Sequence, residues 1–274
     1  MDGLLNRLLA VVSEHEVVRE RRPGVTEVRI GILYTAVLLS TGHAGVSHSG
    51  AFEAMSAAGC GFFGRLMPDA GTLTEKPFQD LLAHVGDSNP LKGAVGVAVL
   101  NALSALIIES AGHGHQEYPN MDALDLLEIT PRDRVVLVGA FPPFIRRLRE
   151  QVKELHVLER NPGAFEGENL GVLLPEDRAA EVLPGADIVV ASGTTVSNGT
   201  LEGLISLSQG AREFLLVGPT AGMLPDPLFQ AGVTVIGGIR IRNPERLLRL
   251  VSEGGSGHGL NRDCAVKITI KKRP

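Results

Sequence analysis

The sequence predicts an α/β fold: a mostly parallel sheet in residues 118–274, preceded by a smaller α+β domain in residues 1–117. Three observations carry this expectation. Short apolar runs at 134–139, 156–159, 188–191, 214–217 and 233–236 have the length and composition of strands covered on both faces. Segments with apolar residues at helical spacing separate several of these runs, which is the alternation of a parallel sheet. The region before residue 50 alternates apolar and polar residues instead, as a half-buried antiparallel meander does.

The stretch 186–200 organises the C-terminal half. Ile188 to Ala191 reads as a buried strand. The chain then turns small and polar at Ser192, Gly193, Thr194 and Thr195, and Leu201, Leu204, Ile205 and Leu207 fall on one helix face. Such a passage leaves backbone N–H groups unpaired, with little bulk over them and hydroxyls beside them. That suits a phosphate, a carboxylate or a polar ligand edge. Helix capping alone would explain any one of Ser197, Asn198 and Thr200.

Upstream, Leu124, Leu126, Leu127 and Ile129 lead to a turn at Pro131, and residues 134–139 form a strand ending in Gly139. Phe144, Ile145, Leu148 and Val152 give the next helix and 156–159 the next strand, a βαβ unit. Glu159 lies about 20 residues past Gly139, where dinucleotide-binding domains place an acid on the ribose. The glycine fingerprint is missing: Gly139-Ala140-Phe141-Pro142-Pro143-Phe144 stands where G-x-G-x-x-G is expected. Phe141 and Pro142 obstruct a pyrophosphate, and each proline removes an N–H. NAD is therefore not expected. A nucleoside or other polar edge on Glu159 stays open, beside the plainer reading of a surface carboxylate at a strand end.

Residues 171–174 suggest a further short strand. The run 214–217 passes into Gly218-Pro219-Thr220-Ala221-Gly222, and 233–236 into Gly237-Gly238. Asn243-Pro244 opens a helix with Leu247, Leu248 and Val251 inward. Residues 254–259 read as a flexible loop and 265–270 as a terminal strand, with Lys271-Lys272-Arg273 suited to an exposed edge or tail. Loops at Gly139, Gly193, Gly218 and Gly237 would then meet at one rim, because ligand crevices of open α/β sheets lie at the carboxyl ends of strands.

In the N-terminal part, Leu4, Leu5, Leu8, Leu9 and Val12 share one helix face. Residues 17–22 read as extended, Pro23-Gly24 as a turn, and Val28, Ile30, Ile32 and Tyr34 as one face of a strand. Extended chain at 35–40 and at 42–49 completes about three strands. Thr74 caps an expected helix over 74–84 with Phe78, Leu81 and Leu82 inward. Asp87-Ser88-Asn89 with Pro90 starts the next helix, through Ala94, Val97, Ala98, Ala102, Ala105 and Ile108. Gly93 and Gly96 admit a close neighbour. Asn101 sits on an otherwise apolar surface, where a buried carboxamide costs several kcal/mol unless bonded. It either ties this helix to the other domain or faces a ligand.

Hydrophobic residues make up 44% and charged residues 21% of the 274, a globular composition. The most apolar segment, 94–108, is interrupted by Gly96, Asn101 and Ser104 and reads as a buried helix, so no membrane partner is expected. The N-terminus carries no secretory pattern, and Cys60 and Cys264 lack metal or redox spacing, which fits a cytoplasmic chain with free thiols. A net charge of −5, 4% aromatics and no Trp argue against a nucleic-acid partner. The metal candidates are sparse: His43 and His48 are weak ligands that face opposite sides of a regular strand, and His113 and His115 suit a linker better than a chelate.

Together, Val138-Gly139-Ala140-Phe141-Pro142-Pro143, Ser192-Gly193-Thr194-Thr195 through Asn198-Gly199-Thr200, and Val217-Gly218-Pro219-Thr220 resemble the heavy-metal chelation family, formerly catalogued as a domain of unknown function. Ala94-Val95-Gly96-Val97-Ala98 through Asn101-Ala102 resembles its companion N-terminal domain. The resemblance implies a domain similar to the enolase N-terminal domain joined to a Rossmann-like domain, a site between the two, and a role in handling or making metal chelators.

The expected function is thus small-molecule binding, as an enzyme with an interdomain active site. Gly139, Gly193, Thr194, Thr195, Asn198 and Thr200 would hold an anionic or polar group. Phe141 and Pro142 would form an apolar wall, Pro219 and Thr220 the rim, and Asn101 would reach in from the other domain, with Glu159 a candidate for a nucleoside. No catalytic residue stands out. The alternatives are a non-catalytic metal or metal-complex binder using His43, His48, His113 and His115, and a transferase dependent on a nucleotide or S-adenosylmethionine. A metal ion or nucleotide-like ligand is the candidate cofactor. A homo-oligomer is left open.

Overall fold

The computed structural model describes residues 3–58, 66–160 and 173–273. The N-terminal part holds α1 (Leu4–Ser13), α2 (Glu16–Arg21), β1 (Val25–Ile30), β2 (Tyr34–Leu39), β3 (Ala44–His48), α3 (Ala51–Ala58), α4 (Phe78–Leu82) and α5 (Pro90–Ala111). Then come β4 (Gln116–Pro119), β5 (Arg134–Val138), α6 (Pro142–Leu148), β6 (Glu154–Glu159), β7 (Leu173–Pro175), α7 (Ala179–Val182), β8 (Ile188–Ser192) and α8 (Thr194–Ser197). The chain ends with α9 (Leu201–Leu207), β9 (Glu213–Val217), α10 (Pro225–Ala231), β10 (Val235–Ile241), α11 (Pro244–Ser252), α12 (Gly257–Gly259) and β11 (Ala265–Lys271). Cys60 lies outside the described residues.

Strands β1, β2 and β3 pair antiparallel in that order, the meander read from the alternation. The other eight strands form one sheet ordered β4-β11-β10-β9-β8-β5-β6-β7. From β10 to β7 all neighbours are parallel, and β11 and β4 add antiparallel pairs at the far side. Ranked by place in the chain, the parallel strands run 3-2-1-4-5-6, the doubly wound Rossmann-like order. The winding reverses between β5 and β8, so connections leave those two strands in opposite directions and open a crevice at their carboxyl ends.

Side-chain parity explains the layers. Val136, Val189, Ala191, Leu216 and Ile236 face one side of the large sheet and join a continuous core with α1, α5 and β2. Val135, Leu137, Ile188, Val190, Leu215 and Val235 face the other side, against Ile145 and Leu148 of α6. Each fully buried Val or Leu is worth about 1.5–3 kcal/mol relative to an exposed one. Helix α5 is long and apolar enough to cross a bilayer by length and composition, but here it is the central core helix, with Val95, Val97, Val99, Leu100 and Leu103 fully buried. Asn89 Oδ1 caps it, accepting from the N–H groups of Leu91 and Lys92. Strand β3 lies hard on it: a Cβ on Gly45 would stand 2.1 Å from Ala98 O and 2.3 Å from Ala102 N.

Several local expectations are corrected. Residues 17–21 are helical, not extended, because His15 accepts from Val17 N–H and Val18 turns into the core, and Arg22 ends the helix in a left-handed turn. Ile32 does not continue the strand; it sits in the β1–β2 turn and is exposed. Thr74 lies inside a short 3-10 turn (Leu73–Glu75) and caps nothing, since Pro77 separates that turn from α4. Gly237 and Gly238 lie within β10, Gly237 paired with both β9 and β11 and Gly238 with β11, so no loop opens there. Strand β11 is interior, with β4 on its outer side, so of the two expectations for Lys271-Lys272-Arg273 the exposed edge is not met, while Lys272 and Arg273 stand exposed beyond the strand as a tail. Residues 254–259 include α12 and lead into a π-helical turn (Leu260–Cys264) instead of forming one long loop.

Candidate functional site

A cleft of about 940 Å³ opens at the crevice between β5 and β8. Its floor is the carboxyl ends of β5, β6 and β8: Gly139, Ala140 and Phe141, then Glu159 and Arg160, then Ser192, Thr194 and Thr195. Ser197, Asn198 and Thr200 continue one wall, and Glu176 and Asp177, beyond β7, line another. The opposite wall comes from the N-terminal part, with His48, Gly50, Glu53, Asp87, Ser88 and Pro90.

The hydroxyls here are tied down by the chain itself. Thr194 donates from both its N–H (3.3 Å) and its hydroxyl (3.0 Å) to Ser192 Oγ. Thr195 Oγ1 donates to Ser192 O at 2.7 Å and Ser197 Oγ to Thr194 O at 2.9 Å. Asn198 Oδ1 accepts from Thr200 N–H (3.1 Å) and Thr200 Oγ1 (2.7 Å). These bonds fold 194–197 into a single helical turn where the sequence suggests an open loop. They leave the hydroxyl oxygens of Thr194, Thr195, Ser197 and Thr200 with lone pairs to offer but their protons already placed, while Ser192 Oγ accepts and keeps its proton free.

The starts of α5 and α6 beside the cleft are closed, by Asn89 and by two prolines. Prolines 142 and 143 begin α6, so two of its first N–H groups do not exist. Gly139 takes φ 97°, and a Cβ there would meet Ser192 Cβ at 3.2 Å, so the β5–α6 turn needs glycine. Phe141 stacks on Phe144 with ring centroids 5.6 Å apart. Glu159 Oε2 accepts the N–H of Ala140 at 2.9 Å, which fixes its carboxylate against the turn after β5. Among the described residues, five carboxylates, from Glu53, Asp87, Glu159, Glu176 and Asp177, line the cleft against one arginine. That arginine, Arg160, is itself bonded through Nε to both oxygens of Glu176 at 3.1 and 3.0 Å.

Of the residues picked from the sequence, Gly139, Phe141, Glu159, Thr194, Thr195, Asn198, Thr200 and His48 line this cleft; Pro142, Gly193, Pro219, Thr220, Asn101 and His43 do not. Thr220 and Asn101 are buried together. Asn101 Nδ2 donates to Val46 O (2.8 Å) and to Thr220 O (3.0 Å), and Thr220 Oγ1 accepts from His48 N–H (3.0 Å). Of the two roles open to Asn101, this is the tie between α5, β3 and the turn after β9. Asn101 and Pro219 also border a small apolar cavity of about 50 Å³. Sequence reasoning missed Glu53, Asp87, Arg160, Glu176 and Asp177. Asp87 was visible only as part of a helix cap, and the acids after β7 reach the site through strand order, which no residue pattern spells out.

The histidines part company. His43, His113 and His115 border a second groove of about 840 Å³ between Thr41–Ala44, the end of α5 and β10. His113 Nδ1 accepts from His115 N–H while its Nε2 meets Glu117 Oε2 at 3.2 Å, and Arg240 clamps Glu117 through two bonds of 2.9 and 2.6 Å. His115 Nδ1 accepts from Arg273 N–H, its Nε2 meets Asp226 Oδ1 at 3.2 Å, and its ring stands edge-on to Phe229. This network clasps the linker onto the sheet. Burial raises the Glu117 carboxyl, but the bonds from Arg240 and His113 outweigh it and hold the group below its ordinary range. His43 Nδ1 is 3.0 Å from Thr41 Oγ1, and its Nε2 is 3.3 Å from Glu109 Oε2 without hydrogen-bond alignment. Among the described residues, no three His, Cys, Asp or Glu side chains gather so as to hold a metal ion. Cys264 is buried, and burial pushes its thiol up from the ordinary range.

Comparison with known proteins agrees with this architecture. A crystal structure of a protein of unknown function from Pyrococcus horikoshii superposes with a TM-score of 0.79, at 22% identity over 98% of this chain and 99% of that one. Another, from Desulfitobacterium hafniense, gives 0.74 at 23% identity over 98% of both chains. An uncharacterized protein of Methanocaldococcus jannaschii is 30% identical over 200 residues, 72% of each chain. Two family profiles, both described as "Putative heavy-metal chelation", match residues 19–104 and 122–270. The chain belongs to that family.

Proposed function

We propose that this protein binds a small, phosphate-free polar molecule in the cleft at the β5–β8 crossover and acts on it there. In this reading the chain divides near residues 117 and 118, the cleft is the interdomain site, and the metal of the family description arrives as part of a chelate or through the making of a chelator. The observation that carries it is the lining of the cleft. Among the described residues, five carboxylates face one arginine whose Nε is bonded to Glu176, and the starts of α5 and α6 at the walls are self-capped and proline-blocked. Opposite charges at 4 Å interact by about 4 kcal/mol near a protein surface. A phosphate is repelled by this lining, and an amine, a sulfonium or an N–H edge is attracted.

A second reading, a transferase dependent on a nucleoside such as S-adenosylmethionine, is favoured by one feature. Glu159 ends the second strand of the doubly wound order, held against the turn after the first, where ribose hydroxyls are bound in that fold. Thermal unfolding with S-adenosylmethionine, adenosine, ATP, inorganic phosphate and a nickel–aminocarboxylate chelate tests both. A compound at a hundred times its dissociation constant adds about 2.7 kcal/mol. Stabilisation by phosphate-free compounds is expected. ATP or phosphate binding more tightly than all of them would overturn the proposal.

A further inference from the structure

Much of the described polar lining of the cleft accepts hydrogen bonds, and the donors beside it are the Asn198 carboxamide, the Ser192 hydroxyl and the Arg160 Nη groups. Carboxylates only accept, and the hydroxyl protons of Thr194, Thr195, Ser197 and Thr200 point back into the chain. His48 differs. Its ring Nδ1 accepts the N–H of Gly50 at 3.3 Å. A backbone N–H can only donate, so Nδ1 presents a lone pair, and the neutral ring carries its proton on Nε2. Nε2 makes no hydrogen bond among the described residues and is not sealed from solvent, and the ring borders the cleft. A metal on Nε2 would force the proton onto Nδ1, against Gly50 N–H. The ring is also firmly placed. Thr220 Oγ1 holds the His48 backbone, and Asn101 holds both Val46 and Thr220.

We propose that His48 is a fixed hydrogen-bond donor of the cleft, its ring held in one tautomer by Gly50 N–H. Its Nε2–H holds a carbonyl, carboxylate or hydroxyl oxygen of the bound molecule, while the facing carboxylates hold that molecule's amine or N–H side. Thr220 and Asn101, which do not reach the cleft, are positioning residues for this ring. The substrate class that fits is a zwitterion: an amino-acid-like or aminoacyl-nucleoside compound, oxygen at one end and cationic nitrogen or sulfur at the other. This rests on the cleft being the ligand site, whereas the tautomer of His48 does not.

Long-range proton–nitrogen spectra of the full-length labelled protein at about pH 8 read the tautomer directly. Protonated Nε2 with bare Nδ1 is expected, and the reverse overturns the proposal. Titration calorimetry with S-adenosylmethionine as probe supplies the second arm. In H48Q an amide N–H extends toward the place of Nε2, and in H48N only toward Nδ1. H48Q should bind within about threefold of wild type and H48N about tenfold more weakly, the loss of one hydrogen bond. Equal binding by both variants overturns the donor role. If wild type does not bind the probe, the nucleoside reading fails, and the ring's tautomer still decides whether His48 is a donor.

Discussion

Asn101→Ala is the most informative single change, because it removes one side chain that joins three elements without touching the cleft. Asn101 is 4% exposed, and its Nδ2 donates to Val46 O and Thr220 O. Two hydrogen bonds are lost, at about 0.5–1.5 kcal/mol each, and two carbonyls in a buried setting are left short of a donor, at about 1–3 kcal/mol apiece when nothing replaces it. An offset exists: Asn101 Oδ1 is itself buried without a partner, so its removal relieves some desolvation. The balance is a loss of about 2–4 kcal/mol, and a fall in Tm of roughly 5–12 °C for a chain of this size. Urea denaturation measures it as a lower midpoint at unchanged slope. Asn101→Leu restores volume but no donor, and should lose a comparable amount, which separates hydrogen bonding from cavity formation. A loss below about 0.5 kcal/mol in both variants would refute the reasoning.

Two further changes probe the frame around the site. Burial is the largest cause holding His84 below the ordinary histidine range, and Lys92 adds to it while Asp87 opposes. The unfolded state therefore takes up its proton first as pH falls, so stability is full above about pH 6.5 and declines as the pH drops through the folded value. His84→Gln, neutral throughout, should flatten that part of a denaturation-against-pH curve, and an unchanged slope would contradict the assignment. Gly45→Ala puts a Cβ 2.1 Å from a backbone oxygen of α5. It should cost more than about 3 kcal/mol or prevent folding, as circular dichroism would show, and a variant as stable as wild type would mean β3 does not lie on α5 as described.

The sequence announces what local chemistry dictates. The apolar runs of β5, β8 and β9 are strands because they are buried on both faces, and Gly139 is a turn because φ there is positive. Asn89 and Pro90 start α5 as their side chains require. What failed did so for tertiary reasons. The alternation of Val28, Ile30, Ile32 and Tyr34 crosses a turn, since Gly31 packs beside Val251 O. Residues 17–22 carry two valines that suggest a strand, yet an N-cap and one inward-facing Val18 make a helix of 17–21. At the site, Glu159 and the 192–200 run were legible, because a βαβ unit and a strand-to-helix turn leave periodic traces. The acids at Glu53, Asp87, Glu176 and Asp177 were not. They meet only through strand order and the docking of α3 and α5, which lie far apart in the chain.

The account stands or falls on where a ligand binds. Hydrogen–deuterium exchange, with and without the tightest-binding phosphate-free compound, reports this for both cavities at once. Slowed exchange at residues 48–53, 86–90, 139–141 and 192–200, with none at 109–117, is the expected result. Protection confined to 109–117, the histidine groove, would contradict it.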